Sequence, residues 1–505
     1  MSNFKNKAKA FFGTDGFSSA TLTTAIIAVT LAVNVLFYVL TIFLGLYIVP
    51  KEKDETALSG ATDTLFEQAI NDKRKVKISF CYPEEDLKTH DTGAFVYKTA
   101  LEFQKRYPEF IEIEYINIIT KRNSKGEMVN LSAYQKDMRG NDTPIYRSSV
   151  IFESTTATKH NYIVITDTAS AVGFSNFYTL NSSGEATSYS GEEFMAAMIS
   201  WVLQDEHKTA YLTTSHSEQA DVSFANLLSA AGYYIDVINL KESEVPEDAG
   251  LVVISNPRSD FERAAEGSSV RTEIERLGSY VKGGGNLYVT LDPYVKRLAV
   301  LESFLSECGI SFSVLASESG YHRNIVKDSN NAITADGFTL VADYAEGDIS
   351  SAIEQRVDFF TDGGVIIREA SALELSEGAK PLLISSSASV CEADGKTTST
   401  GGKYCVAAYN DIGEGRVMVV PSIYISVADA LITNGYANKE FLFASFEYLF
   451  GAKGMPYGCR AVLYDTQTLE NLTMGTARLY TAIILAIPTA IAVVGSVIII
   501  RRKNR

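Results

Sequence analysis

The chain has 505 residues, 46% of them hydrophobic, and sets 45 Lys and Arg against 61 Asp and Glu for a formal net charge of −16. Residues 51–500 hold 38 of the basic and 60 of the acidic side chains, a formal −22, which argues against nucleic acid or an anionic lipid surface as partners of that part. Five cysteines (Cys81, Cys308, Cys391, Cys405, Cys459) are too few for a disulfide-built scaffold.

Two uncharged apolar stretches lie at residues 16–50 and 479–500. A bilayer core of ~30 Å takes ~20 apolar residues in helix, so each is long enough to span it. Lys5, Lys7 and Lys9 precede the first, and Arg501, Arg502, Lys503 and Arg505 follow the second. Basic flanks stay on the cytoplasmic side, which predicts a two-pass protein of the cell membrane with both termini cytoplasmic and about 430 residues outside. The first stretch exceeds the ~7–15 residues of a signal-peptide core, so an uncleaved anchor is expected.

After the first stretch, residues 76–82 read as a strand. A helix carrying Phe95, Leu101 and Tyr107 follows, then a strand with Ile111, Ile113 and Tyr115 alternating with Glu112 and Glu114, together a βαβ unit. The polar stretch 121–147 reads as a loop, and residues 149–152 and 162–165 as short strands. Ser190 and Glu193 have capping-box spacing ahead of a helix with Met195, Met198, Ile199 and Val202 on one face. From 209 to about 314, strands at 210–213, 234–240, 251–254 and 286–291 alternate with helices marked by Phe224, Leu227 and Leu228, by Ile274, Leu277 and Val281, and by Leu301, Phe304 and Leu305. That alternation predicts a parallel, doubly wound sheet. Strands at 382–385, 404–409 and 416–420 and an aromatic-rich helix at 439–450 read as an extension of it.

Familiar catalytic signatures are absent. There is no G-x-x-x-x-G-K-[ST] loop, no H-E-x-x-H and no G-x-S-x-G, and His90, His160, His207, His216 and His322 are scattered. Gly283–Gly285 follows a helix and precedes a strand, the reverse of a phosphate cradle. Cys81 lacks a C-x-x-C partner, since position 84 is Glu. Cys391 and Cys405 flank a polar, glycine-bearing segment. A bridge there would close a loop of about 15 residues, worth ~3 kcal/mol in the chain-entropy account, and two buried free thiols are the alternative.

One turn stands out. Thr213-Thr214-Ser215-His216-Ser217-Glu218 follows a predicted strand and precedes a predicted helix, where doubly wound sheets bind ligands. His216 and Glu218, with Ser215 and Ser217, are candidate ligand-binding residues, or a proton-exchanging pair. Equally, the hydroxyls and Glu218 serve as caps for the helix that follows. No nucleophile or third metal ligand accompanies them, so no catalytic residue, metal or cofactor is assigned.

Several runs in order resemble a known family. They are Gly191-Glu192-Glu193-Phe194, Ser215-His216-Ser217-Glu218, Ala231-Gly232-Tyr233, the stretch 245–254, Gly283-Gly284-Gly285-Asn286-Leu287, Leu291-Asp292-Pro293, Gly413-Glu414-Gly415-Arg416-Val417 and the helix at 438–449. Their order and spacing resemble the GldG-type auxiliary component of bacterial ABC transport systems over roughly residues 60–450 and the C-terminal anchor. The resemblance implies a thioredoxin-like α/β domain (51–204), then a domain similar to class I glutamine amidotransferases without their nucleophile (205–453). Around these lie a cytoplasmic tail (1–19), a first span (20–50), a juxtamembrane connector (454–478), a second span (479–500) and a basic tail (501–505). It implies an ABC permease and its cytoplasmic ATPase as partners. Family members often carry a T-G-H-G-E-like run, where this chain has Ser215 and Ser217. The expectation is a non-enzymatic extracytoplasmic component of such a system. A glycan-, peptide- or solute-binding module, or an envelope hydrolase using His216 and Glu218, are the alternatives.

Overall fold

The computed structural model describes residues 56–155, 160–167, 173–180, 183–263, 271–317, 320–376, 378–433 and 435–464. The two expected spans, both tails and residues 465–478 of the connector lie outside them. Among the described residues no helix is long and apolar enough to cross a membrane.

The first sheet is built from β1 (Val76–Phe80), β2 (Ile111–Asn117), β3 (Arg122–Asn123), β4 (Val150–Thr155) and β5 (His160–Ile165), in the order β3-β2-β1-β4-β5. β1 and β2 are parallel, as the βαβ pattern predicts, and β4 and β5 add antiparallel. Helices α1 (Ala61–Asn71) and α2 (Gly93–Arg106) bury Phe66, Val96, Ala100 and Phe103 with Val76, Ile78 and Phe80. Period-2 alternation sends Ile116 and Ile151 to the opposite face. There Leu131 covers them beside Cys81, so the 121–147 stretch is a packed cover of the sheet.

Helix α3 (Gly191–Leu203) is buried on every side from Met195 to Val202, more than the single apolar face expected. It touches β4 and β5 of the first sheet and α4 (Val222–Ala230) of the second, which leaves it no solvent face. The Ser190–Glu193 capping box does not form: Ser190 makes no side-chain cap bond, and Glu193 Oε2 lies 2.7 Å from Lys439 Nζ. A buried ammonium needs that counter-charge more than a helix end needs a second acceptor.

The second sheet has eleven strands, nine along one path and two short ones, Ile310–Phe312 and Leu373–Leu375, off it. Its parallel part contains β6 (Thr209–Thr213), β7 (Tyr234–Ile238), β8 (Ala249–Ser255) and β9 (Asn286–Thr290). It continues through β10 (Thr339–Tyr344), β11 (Val365–Arg368), β12 (Lys380–Ile384), β13 (Cys405–Ile412) and β14 (Gly415–Val420), in the order β11-β10-β12-β13-β14-β9-β8-β6-β7. The five strands β14, β9, β8, β6 and β7 are parallel neighbours. Beyond them the purely parallel expectation is corrected, because β13, β12, β10 and β11 run antiparallel. The reason is local: Gly413 (φ 64°) and Glu414 close a two-residue hairpin between β13 and β14, and such a turn can join only antiparallel strands.

Alternation along the central strands divides the core. Leu251, Val253 and Tyr288 face α4, α7 (Asp348–Phe360) and α8 (Asn438–Phe450), in a cluster continuous with the first sheet. Val252, Ile254, Leu287 and Val289 face α5 (Glu273–Lys282) and α6 (Ala299–Glu307). Helices therefore cover both faces of the parallel part.

The Cys391–Cys405 bridge is corrected. Both thiols are free, and they belong to different sheets, Cys391 to the small sheet of Ile325–Lys327, Val390–Ala393 and Lys396–Thr397, and Cys405 to β13.

Candidate functional site

The loops after β6, β8 and β9 meet at the carboxyl ends of the parallel strands, the end at which such sheets bind ligands. After Thr213 the chain turns through Ser215 (φ 91°) and Ser217 (φ 55°), both left-handed. This turn points His216 inward, to 1% exposure. Its Nε2 lies 2.7 Å from Oε1 of Glu273, itself 2% exposed, and its ring stacks on Phe261 at 4.1 Å. The backbone carbonyl of His216 accepts from the N–H groups of Arg258 and Ser259. Glu273 Oε2 accepts from the Glu262 N–H, so the carboxylate joins the β6 turn to the loop after β8.

Glu218 does not reach the imidazole of His216; its Oε2 accepts from the His216 backbone N–H at 2.8 Å. Capping of α4 falls instead to Asp221, whose Oδ1 accepts from Ser223 N–H at 2.7 Å. Of the four candidate residues, Ser215 and Ser217 shape the turn, Glu218 tightens it, and His216 pairs with a residue 57 positions away.

The residues that gather at the mouth were not singled out by the sequence. Gln219 Oε1 accepts from Asn256 Nδ2 (3.2 Å) and from Arg258 Nη2 (2.9 Å). Arg258 Nη1 pairs with Asp292 Oδ2 at 3.1 Å, and Asn256 Oδ1 accepts from the Asp292 N–H. Next to them Tyr294 is 62% exposed. Partial desolvation of this side chain, and then the negative charges of Glu369 and Asp292, push its pKa up. Arg368 lies over the Tyr424 ring at 4.5 Å, and its carbonyl accepts from the Ser422 hydroxyl, just past β14.

Eight non-glycine residues among those described have left-handed backbones, and four of them, Ser215, Ser217, Asn256 and Glu369, belong to this edge. Such conformations cost ~1–3 kcal/mol each and concentrate at functional sites. The edge offers guanidinium and phenol groups to a ligand in solvent, while the His216–Glu273 pair lies behind them as a support. Among the described residues no three His, Cys, Asp or Glu side chains converge as a metal ion would require. The Cys81 thiol is fully buried, and burial pushes its pKa up to about 12, which makes it a poor nucleophile.

A signal that could have placed Glu273 along the chain is the Thr272–Glu275 spacing, a capping box that forms and marks the start of α5. Nothing in the sequence tells that Glu273, between those two, turns inward.

Fold and site together define a mixed α/β protein with two large sheets, three small ones among the described residues, and a loop-built edge at the carboxyl ends of its parallel strands. No protein-family model matches the chain, and the comparison with curated proteins gives no match. Among solved structures it is similar to an mmIFT52 N-terminal domain (16% identity, TM-score 0.36, 48% of this chain and 97% of that one). It is also similar to the cytoplasmic protein STM3548 from Salmonella typhimurium (11% identity, TM-score 0.30, 48% and 98%). A third is a β-galactosidase from Rahnella sp. R3 (14% identity, TM-score 0.24), of which the match covers 31%. The similar structures also include other β-galactosidases and a mannosidase. The non-enzyme expectation, which rested on missing motifs, is withdrawn. Missing motifs do not exclude catalysis, since catalytic groups can be gathered from separate strands. The likeness is too distant to assign any activity.

Proposed function

We propose that the chain is a membrane-anchored, extracytoplasmic component of an ABC transport system, working with a permease subunit and its cytoplasmic ATPase. The supporting observation is where the folded body begins and ends. Ser59 donates its N–H (2.7 Å) and its hydroxyl (2.9 Å) to Glu192 Oε1, on the first turn of α3. At the other end Val462 and Leu463 pair with Tyr189 and Ser188, just before the same helix. The two segments also touch, since a Cβ at Gly458 (φ 72°) would lie 3.2 Å from that of Ala61. Ends that lie together suit a body whose chain would enter from a span at 20–50 and leave to a span at 479–500. The order β3-β2-β1-β4-β5 supports the thioredoxin-like reading of the first sheet, and the five parallel strands support the amidotransferase-like reading of the second.

The test is a mild-detergent pulldown of the tagged full-length protein. Recovery of a permease and an ATPase is expected; repeated recovery of neither removes the transporter assignment. The left-handed residues at the carboxyl edge favour a second reading, capture of an envelope ligand there. Replacing Arg258 and Tyr294 by Ala should then abolish ligand binding while leaving the pulldown intact.

A further inference from the structure

Near the end of α7 the side chain of Phe359 is 72% exposed, the only phenylalanine so exposed among the described residues. α7 buries Ser350, Ile353 and Val357, and position 359 falls off that face, where helical spacing calls for a polar residue. The ring is not isolated. It packs edge-on against Phe360 at 4.9 Å, and Phe360 stacks on Tyr457 at 5.0 Å. Phe360 borders one hollow with Ala61 and Leu65 of α1, and all three are half-buried. An apolar patch that continues outward to an exposed aromatic marks a contact surface.

Its place in the chain says what the patch meets. A Cβ at Gly458 would lie 3.1 Å from Phe360 Cδ1 and 3.2 Å from Ala61 Cβ. The patch therefore adjoins both the first helix of the body and the segment that leads out of it. Ala61 follows Pro50 by eleven residues, so the chain between them reaches roughly 40 Å at most. On the membrane-anchored reading, that tether keeps the patch close to the bilayer, and a tethered group docks at little entropic cost. Asp358 and Asp362, both exposed, flank Phe359, so the attraction is apolar and not to anionic headgroups.

We propose that Phe359 inserts into the outer interface of the bilayer and holds the folded body against the membrane. The proposal rests on the membrane-anchored reading given above. Two chain ends that lie together leave a body free to swing about them. A third contact at Phe359 fixes its tilt, and with it the direction in which the carboxyl edge of the second sheet faces.

The test uses full-length protein in phosphatidylcholine vesicles, with a thiol-reactive fluorophore on Gln355→Cys, an exposed position one turn before Phe359 on the same face. The control carries it on Ile119→Cys, 85% exposed and beyond the end of β2 opposite Tyr107, which bonds Asp63 of α1. Lipid with a doxyl group high on its acyl chain should quench the label at 355 at least about twofold more than that at 119. Phe359→Asp should abolish the difference. Equal quenching at both positions, or quenching at 355 unchanged by Phe359→Asp, overturns the proposal. Shielding of 355 from a water-soluble quencher without lipid quenching would mean that protein covers Phe359, and overturns it too. Flotation separates the two readings. Protein that does not float with the vesicles removes the anchor and this contact with it, whereas protein that floats with an unquenched label at 355 overturns this contact alone.

Discussion

Lys439 Nζ lies 2.7 Å from Glu193 Oε2 across 246 residues of sequence, tying α8 of the second sheet to the first turn of α3. The ammonium is buried and also donates to the Cys459 carbonyl, on the segment leading out of the folded body. Burial alone would push the Lys439 pKa down; the charges of Glu193 and Glu440 outweigh it and hold the group protonated. Lys439→Met strands the Glu193 carboxylate and should cost about 3 kcal/mol, most of it regained in Lys439→Met/Glu193→Leu. Denaturant titration followed by the fluorescence of Trp201, the single and buried tryptophan, measures both. Equal loss in the single and double variants would mean that the pair is not the origin of the effect.

Ser215 and Ser217 hold φ values of 91° and 55°, a region that glycine enters without steric cost. Ser215→Gly and Ser217→Gly should each stabilise the protein by up to about 1 kcal/mol, the relief of strain exceeding the extra freedom of the unfolded chain. A loss of stability in both would show that the serine side chains contribute more than their backbone strain removes.

Asp328 is fully buried, which would raise its pKa. Hydrogen bonds from Ser386, Asn331, Ser389 and Asn330 outweigh the burial and hold the carboxyl at about 2. A depressed native pKa contributes stability that is complete above the unfolded value of 3.8 and is lost as the pH falls toward 2. Asp328→Asn should cost on the order of 2 kcal/mol at neutral pH and flatten the stability profile between about pH 4 and 2. A variant profile parallel to that of the parent in this window would contradict the assignment.

All five cysteines are free, and burial pushes the thiols of Cys308 and Cys391 up to about 11 and those of Cys81 and Cys405 to about 12. Iodoacetamide at pH 8 should leave the native protein unlabelled, while the denatured, unreduced chain takes up five labels. A Cys391–Cys405 cross-linked peptide in a non-reducing map would reinstate the bridge.

Much of the fold was legible where periodicity is strong. Val76, Ile78 and Phe80 in β1, Phe224, Leu227 and Leu228 in α4, and Leu277 and Val281 in α5 all reach the core on the face their spacing predicts. The reversal of β13 and β12 was not, because strand direction depends on a two-residue turn and leaves no mark in the alternation. For the site, the turn at Ser215–Glu218 was legible as a place, since a strand ends and a helix follows. The partner of His216 was not. A helix-start pattern at Thr272 locates Glu273 along the chain but does not say which way it faces.

The sequence by itself determined the alternating α/β pattern, the acidic balance of residues 51–500 and the position of the β6 turn, because these depend on residues near one another in the chain. Only the tertiary structure decided that Glu193 serves Lys439 and not a helix cap, that His216 is a buried support and not an exposed ligand, and that both ends of the body meet at α3. Each of these depends on satisfying a buried polar group with whatever the fold brings near it, and that partner can lie anywhere along the chain.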